Sequence, residues 1–377
     1  MERAQLHGEG NELPICVHIL KDAQPECTGI CRIIAGIAKH AQSSGYEISA
    51  LFLGEGPLIA AMRDAGIPAS AVSWTANRRD LAGAWRVWRW FREHPAEIVH
   101  MHHGGLSVRT VCRFAGVDAI VQHLHGRILE PSGDSIAGMN LRGLDAIIAC
   151  SQAVADCVPG RHADVIRAGI ETGSRPPAAV APTGPLKLGV LARLIPLKNI
   201  ESVIDATARL AAMGIEIRTE IAGIGPSESG LRDLAVSLGV SERVRFLGWR
   251  KDVDRLLASW DLLVIPSLEE AFPLSALEAM AAARPVVASR VGGLSELVLD
   301  GVNGILVPPG DTDALVHAIA GLAKDRKRMT LMGNEGWERA RSHFSVELMA
   351  RRTTELYDRL LGREPSRPSL AMPHSSS

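Results

Sequence analysis

The chain alternates short apolar runs with longer stretches in which apolar residues recur every three or four positions. In the first half the runs are Ile15–Leu20, Ile48–Leu53, Ile98–His102, Ala119–His125, Ala146–Ser151 and Asp164–Ala168, each bounded by polar or glycine-bearing segments. Runs of this length and composition predict buried strands, with helices filling the gaps. The second half repeats the pattern. Strands are predicted at Leu186–Leu191, Arg218–Ala222, Val244–Leu247, Leu262–Ile265, Pro285–Ala288 and Ile305–Val307, and helices at 199–213, 227–238, 251–259, 273–283, 311–324 and Val346–Leu361. Strand and helix in turn are the mark of a doubly wound parallel sheet, so the expectation is an α/β protein of two Rossmann-like domains facing a central cleft.

Between the halves, the Pro- and Ala-rich segment Ser174–Pro185 has no periodicity and reads as a linker. The expected organisation is a first domain over 1–180, a second over 181–345, a terminal helix over 346–361 and a disordered tail over 362–377, where Pro and Ser accumulate. Residues 1–13 read as a loose leader. Within the first half, Leu81–Glu93 has a helical pattern with Leu81, Trp85, Trp88 and Phe91 on one stripe and Arg86, Arg89 and Glu93 off it. The expectation is that these aromatics are core and the arginines solvated; the second reading is a helix lying on a membrane surface.

Composition narrows the function classes. The 377 residues are 46% hydrophobic and 22% charged, with 41 Lys and Arg against 42 Asp and Glu. A net charge of −1 supplies no bulk attraction for nucleic acid. No apolar run is long enough to cross a bilayer and the N-terminus has no signal-peptide core, so a cytoplasmic location is expected, with a peripheral contact at the inner membrane face as the alternative. Cys16, Cys27, Cys31, Cys112, Cys150 and Cys157 form no Cys-x2-Cys pair and are expected as reduced thiols.

Candidate chemistry concentrates between Asp261 and Gly310. Leu262–Ile265 is a buried strand, Ser267–Ala271 a polar turn, and a helix of strong formers begins at Pro273, which suits a first helical position because its missing N–H costs nothing there. The open helix end, through the N–H groups of Leu274 and Ser275, attracts anions. Glu270 stands just before it and Glu278 inside it. Arg193-Leu-Ile-Pro-Leu-Lys198 opens the first helix of the second half; two cations at a helix start oppose the dipole and imply a compensating anion. Gly223 and Gly225, after the strand ending at Ala222, read either as a plain tight turn or as one that lines a ligand, and Gly29 marks a strand-to-helix junction, a plain turn or a place where backbone can approach a ligand. His100, His102, His103, His123 and His125 raise a metal site as an alternative. His100 and His102 share one strand face, as do His123 and His125, but no carboxylate or Cys accompanies them in sequence, so no metal and no cofactor are expected.

The spacing Glu270-x7-Glu278 with Phe272 between, the Glu-Ala-Met-Ala that starts at Glu278, Arg193-x4-Lys198-Asn199, Gly223-x-Gly225-Pro226, Phe246-Leu-Gly-Trp-Arg250 and His125-Gly126 together resemble the retaining glycosyltransferases of family 4, of the glycogen-synthase-like superfamily with the GT-B fold. Two positions depart from it: Ala271 and Pro273 stand where the family often has Gly. The resemblance implies transfer of a sugar from a nucleoside-diphosphate-sugar donor to a glycan, lipid-linked or small-molecule acceptor, without a metal. Carried over residue by residue, it makes Arg193 and Lys198 the diphosphate pair and sets Glu270 beside the transferred sugar. Glu278 falls on the ribose and His125 at the sugar, while Phe272, Leu274, Ser275, Gly29, Gly223 and Gly225 line the donor site. It also implies that the last helix returns to the first domain. A sugar-nucleotide epimerase or phosphorylase of the same fold, or an inactive nucleotide-binding module, is the rival reading.

Overall fold

The computed structural model describes residues 13–364 apart from 25–26, 76–78, 127, 130–133, 136–139, 175 and 178–182. The leader, most of the tail and the middle of the expected linker lie outside the described residues.

In the first half the described elements are β1 (Ile15–Leu20), α1 (Thr28–Ala41), β2 (Glu47–Phe52), α2 (Leu58–Asp64), β3 (Ala69–Ala71), α3 (Leu81–Glu93), β4 (Ile98–Met101), α4 (Leu106–Ala115), β5 (Ala119–Leu124), a hairpin of β6 (Ile128–Leu129) and β7 (Asp134–Ser135), β8 (Ala146–Ala149), α5 (Gln152–Ala155) and β9 (Asp164–Val165). The second half holds β10 (Leu186–Leu191), α6 (Ile200–Ala212), β11 (Ile217–Ala222), α7 (Glu228–Ser237), β12 (Val244–Gly248), α8 (Val253–Ser259), β13 (Leu262–Ile265), α9 (Leu274–Ala281), β14 (Val286–Ser289), α10 (Leu294–Leu297), β15 (Gly304–Val307), α11 (Thr312–Lys324), α12 (Arg326–His343) and α13 (Val346–Leu361).

Among the described residues, one sheet runs β3-β2-β1-β4-β5-β8-β9 and the other β12-β11-β10-β13-β14-β15. Every pairing within them is parallel. Two doubly wound Rossmann-like domains are therefore present. Strand order reverses between β1 and β4 in the first sheet and between β10 and β13 in the second, and such a reversal opens a crevice at the strands' carboxyl ends. The segments that follow these four strands carry Gly29, His102, Arg193 and Glu270 respectively. Topology alone thus delivers the candidate residues to two crevices.

The terminal helix ties the halves together. Ser345 caps α13 by accepting a hydrogen bond from the Leu348 N–H, and the Ile170 N–H donates to the Phe344 carbonyl at 2.8 Å. Gly36 of α1 has no room for a side chain, since a Cβ would lie 2.9 Å from Met349. Farther along α13, Tyr357 is fully buried and its hydroxyl reaches His100 Nδ1 at 2.6 Å.

Several expectations need correction. The eighteen-residue helix α12 has no counterpart among the predicted elements, because its apolar positions are few: Met329, Met332 and Trp337 are its large buried side chains, and Gly333 and Gly336 supply close contact instead. A Cβ on Gly333 would meet the Ala283 carbonyl oxygen at 2.1 Å. The three-residue strand β3 is likewise too short to stand out as an apolar run. On α3 the expected stripe is core only at Phe91. Leu81, Trp85 and Trp88 are 75%, 55% and 37% exposed, and it is Gly83, Val87 and Phe91 that face inward. Gly83 sits against Trp74, and this contact, invisible in the helix's own periodicity, rotates the buried face.

Candidate active site

In the second half, β13 and the loop that follows it meet the loop after β10. The Leu268 N–H donates to the Leu197 carbonyl at 2.9 Å, and Asn199 Nδ2 donates to the Pro266 carbonyl at 3.2 Å. Asn199 adopts a left-handed φ of 48°, a conformation Asn tolerates better than most residues, and so turns the chain into α6. These links bring Lys198 Nζ to 2.5 Å from Glu270 Oε1, which also accepts a hydrogen bond from Ser267 Oγ at 2.8 Å. The Lys198 and Glu270 side chains are only 18% and 10% exposed. The ammonium and the carboxylate are thus in direct contact. Arg193 is exposed in the same loop.

The glycines around this pair serve backbone proximity. A Cβ on Gly292 would lie 1.8 Å from the Glu270 carbonyl oxygen, and one on Gly293 would lie 2.1 Å from that of Ala271. Gly223 and Gly225 do the same for the Arg193 loop. A Cβ on Gly223 would lie 1.8 Å from the Ala192 oxygen and one on Gly225 2.3 Å from the Leu194 oxygen, while the Leu194 N–H donates to the Ile224 carbonyl. Their identity is thus accounted for by loop interlock before any ligand is considered.

Pro273 is the N-cap residue of α9, not its first helical position; its φ of −75° and ψ of 120° are extended, and the Ala276 N–H is already spent on the Pro273 carbonyl. Leu274 and Ser275 open the helix. Phe272 is 9% exposed and its ring packs at 5.9 Å from Phe344, so its side chain belongs to the core. Leu274 meets the first half: a Cβ on Gly29 would stand 3.3 Å from its Cδ1. Glu278, 8% exposed, pairs with Arg32 of α1, a residue that no sequence motif singles out. Burial pushes the Glu278 carboxyl above its ordinary range and Arg32 pulls it back. Both face a cavity of about 660 Å³ between the halves, lined also by Lys39, Gly169 and Leu274. Glu270 is not among the residues lining it.

In the first half, the loop and strand residues at the switch point are imidazoles. His125 Nε2 lies 2.7 Å from His102 Nδ1, and His102 Nε2 lies 2.9 Å from His18 Nδ1. His18 Nε2 is 3.4 Å from the Tyr357 hydroxyl, and His100 Nε2 is 3.2 Å from His123 Nδ1. His18 escapes a reading of the sequence because it sits alone in β1; register places it beside His100. Burial pulls His18 down to about 3 and holds His100, His102, His123 and His125 well below the usual imidazole value, so all five are neutral at pH 7.

Two parallel sheets with switch-point crevices, one lined by an ion pair at a strand-to-helix turn, define the GT-B class. Family models agree in both halves: residues 28–173 match glycosyltransferase family 4 and residues 175–339 match glycosyl transferases group 1. The chain belongs to the family 4 glycosyltransferases. It is 33% identical over 261 residues to D-inositol 3-phosphate glycosyltransferase 2 of Catenulispora acidiphila, covering 66% of this chain and 59% of that protein. It is 32% identical over 206 residues to the lipopolysaccharide core biosynthesis glycosyltransferase LpsE of Rhizobium meliloti, covering 55% of this chain and 56% of that protein. The aligned part thus spans a little over half the length of these relatives. Among solved structures, HepE of Anabaena in complex with UDP-glucose superposes with a TM-score of 0.78 at 22% identity, over 92% of this chain and 100% of that one. Sucrose-phosphate synthase of Thermosynechococcus elongatus superposes with a TM-score of 0.72 at 18% identity, over 93% and 99%. Among the described residues no helix is long and apolar enough to cross a membrane.

Proposed function

We propose that this chain transfers a glycosyl group from a nucleoside-diphosphate sugar to an acceptor hydroxyl, with retention at the anomeric carbon. The observation that carries the reading is the Lys198–Glu270 contact at the second switch point, where the Leu268 N–H and the Asn199 side-chain amide tie the two loops together before a donor arrives. Preorganised charge of this kind stabilises a leaving group without reorganisation. In the reaction the bond from the anomeric carbon to the phosphate oxygen breaks, and its electron pair leaves with the nucleoside diphosphate. A bond from the acceptor oxygen to the same face of that carbon forms, and the acceptor proton passes to the leaving phosphate. Lys198 and Arg193 balance the negative charge on the diphosphate, so side-chain cations do what a divalent ion does elsewhere. Glu270 grips the sugar hydroxyls, and its carboxylate favours the positive charge that develops at the anomeric carbon. Glu278 receives the ribose when Arg32 yields, and His125 bounds the sugar side. Relatives named for an inositol phosphate acceptor and for lipopolysaccharide core, and a structural neighbour holding UDP-glucose, support a nucleotide-sugar donor and a hydroxylated or phosphorylated acceptor.

The test is to incubate the protein with uridine, guanosine and adenosine diphosphate sugars, with and without polyol phosphate or glycan acceptors, following nucleoside diphosphate release and the anomeric configuration by NMR. Acceptor-dependent release with retention is expected. Conversion of the donor alone points to an epimerase, and a requirement for inorganic phosphate points to a phosphorylase. Either outcome defeats the reading.

A membrane-bound acceptor is supported by α3. Its exposed Leu81, Trp85 and Trp88, with Arg89 lying over the Trp85 ring at 5.7 Å, form an amphipathic surface of the interfacial kind. Co-sedimentation with anionic liposomes is expected; protein left wholly in the supernatant refutes it.

A further inference from the structure

The imidazoles of the first switch point form more than a packed core. Sequence periodicity pairs them two by two, whereas the fold gathers five of them on one face under Tyr357, and one ring nitrogen each of His102, His123 and His125 lies within 4.8 Å of the others. Two features separate this trio from ordinary buried histidines. His123 is 4% exposed, and its Nε2 is buried without a hydrogen-bond partner, a costly arrangement unless something binds it. His125 is only partly buried, so the trio is not sealed from solvent.

We propose that His102, His123 and His125 form a binding site for one divalent transition-metal ion of the zinc, cobalt or nickel type, its remaining position open to water or to an oxygen of a molecule in the cleft. One assignment of protons satisfies the surrounding contacts and frees three lone pairs, the hydrogen bond between His125 Nε2 and His102 Nδ1 being given up to the ion as the His125 proton moves to Nδ1. His102 Nε2–H donates to His18 Nδ1, and His18 Nε2–H donates to the Tyr357 oxygen. His100 Nδ1–H also donates to that oxygen, and His123 Nδ1–H donates to His100 Nε2. The Tyr357 hydroxyl proton then serves Cys16, with which it also interacts. What remains is Nδ1 of His102, Nε2 of His123 and Nε2 of His125. The ligand rings that bear their second nitrogen inward thus have it anchored, His102 by His18 and His123 by His100, which is the outer support metal-binding histidines ordinarily have. A tetrahedral ion about 2.0–2.1 Å from each nitrogen sets ligand nitrogens roughly 3.3 Å apart. His102 Nδ1 and His125 Nε2 are 2.7 Å apart, so this pair has to open by about half an ångström to share the ion. The inference does not rest on the donor-site reading.

The experiment uses full-length protein without a polyhistidine tag, stripped with chelator and titrated with Co²⁺. Expected are one ion per chain and the visible absorption of a tetrahedral cobalt site, displaced by Zn²⁺. His123→Ala should weaken binding at least about 100-fold, and His18→Ala, which removes only the anchor, roughly 10- to 100-fold. His317→Ala, on exposed α11, should leave it unchanged. A wild-type protein without a cobalt spectrum overturns the proposal, as does His123→Ala binding as tightly as wild type. Should His123→Ala not fold, His125→Asn takes its place, and undiminished cobalt binding there is equally fatal.

Discussion

The two switch points share a topology and differ in chemistry. That of the first sheet is lined by neutral imidazoles strung together by short contacts; that of the second is lined by an ammonium, a carboxylate and an exposed guanidinium. Burial explains the contrast. His18, His100 and His102 lie within the sheet, under α13, where the charged form is penalised and the ring stays neutral. Lys198 and Glu270 sit one step farther out, in loops, and enter as a hydrogen-bonded pair, the form in which charge tolerates partial burial. A crevice of neutral rings suits orientation or a metal, whereas one of paired charges suits a ligand that brings charge of its own.

The sharpest way to break the comparison is to neutralise the second crevice. Lys198→Ala, or Glu270→Gln, should lower turnover by about 10²–10³ or more, the scale of losing one preorganised electrostatic contact, with the circular dichroism spectrum unchanged. Wild-type-like rates in both variants would remove the catalytic assignment. Next in size is Gly292→Ala. At a φ of 44° and with a Cβ forced to within 1.8 Å of the Glu270 oxygen, it should cost about 2 kcal/mol or more in urea unfolding and displace the Glu270 loop as well. Unchanged stability would mean the two loops are not locked together.

A smaller effect separates the partners of the ion pair that joins the halves. Arg32→Ala leaves the Glu278 carboxylate buried and uncompensated and should cost about 1–3 kcal/mol at pH 7, whereas Glu278→Gln leaves an Arg that is half exposed and should be nearly neutral. The pH dependence has a definite sign. The carboxyl of Glu278 is raised in the fold, so the folded state holds its proton to higher pH than the unfolded chain does. Stability from this group is therefore fully present below the ordinary carboxylate value and is lost as pH rises through the raised one. Removing Arg32 raises it further, so the difference between Arg32→Ala and wild type should shrink on acidification toward the ordinary carboxylate value of 4.5; a gap that is constant with pH contradicts the pairing. Smallest of all, Trp85→Ser and Trp88→Ser should change stability by no more than about 0.5 kcal/mol because the side chains are exposed, while reducing liposome binding. A large stability loss would restore the reading of that stripe as core.

Much of this architecture is readable from the chain. Buried strands such as Leu262–Ile265 declare themselves as apolar runs because both faces are covered, and the ends of the predicted strands and helices of the second half shift by no more than a residue or two, whereas the strand expected at Asp164–Ala168 is only Asp164–Val165. The Glu270 turn and the Arg193–Lys198 loop are legible too, because packing alone seldom calls for charge at the carboxyl end of a buried strand, where ligands of such sheets bind. Helix α12 is not, since it packs by glycines against α9 and by few large side chains, and periodicity cannot register a missing Cβ. The exposed face of α3 escapes prediction because Trp74, from the preceding loop, claims the side of Gly83.

The order of apolar and polar residues by itself determined two doubly wound sheets and put reactive side chains at the ends of particular strands, since strand pattern and loop chemistry are local properties. Only the tertiary structure decided which of those side chains meet: Lys198 with Glu270, Arg32 with Glu278, and His18 with four other imidazoles beneath Tyr357. Sheet register and the return of α13 bring together residues up to hundreds of positions apart, and whether a histidine is charged or an arginine occupied depends on those neighbours.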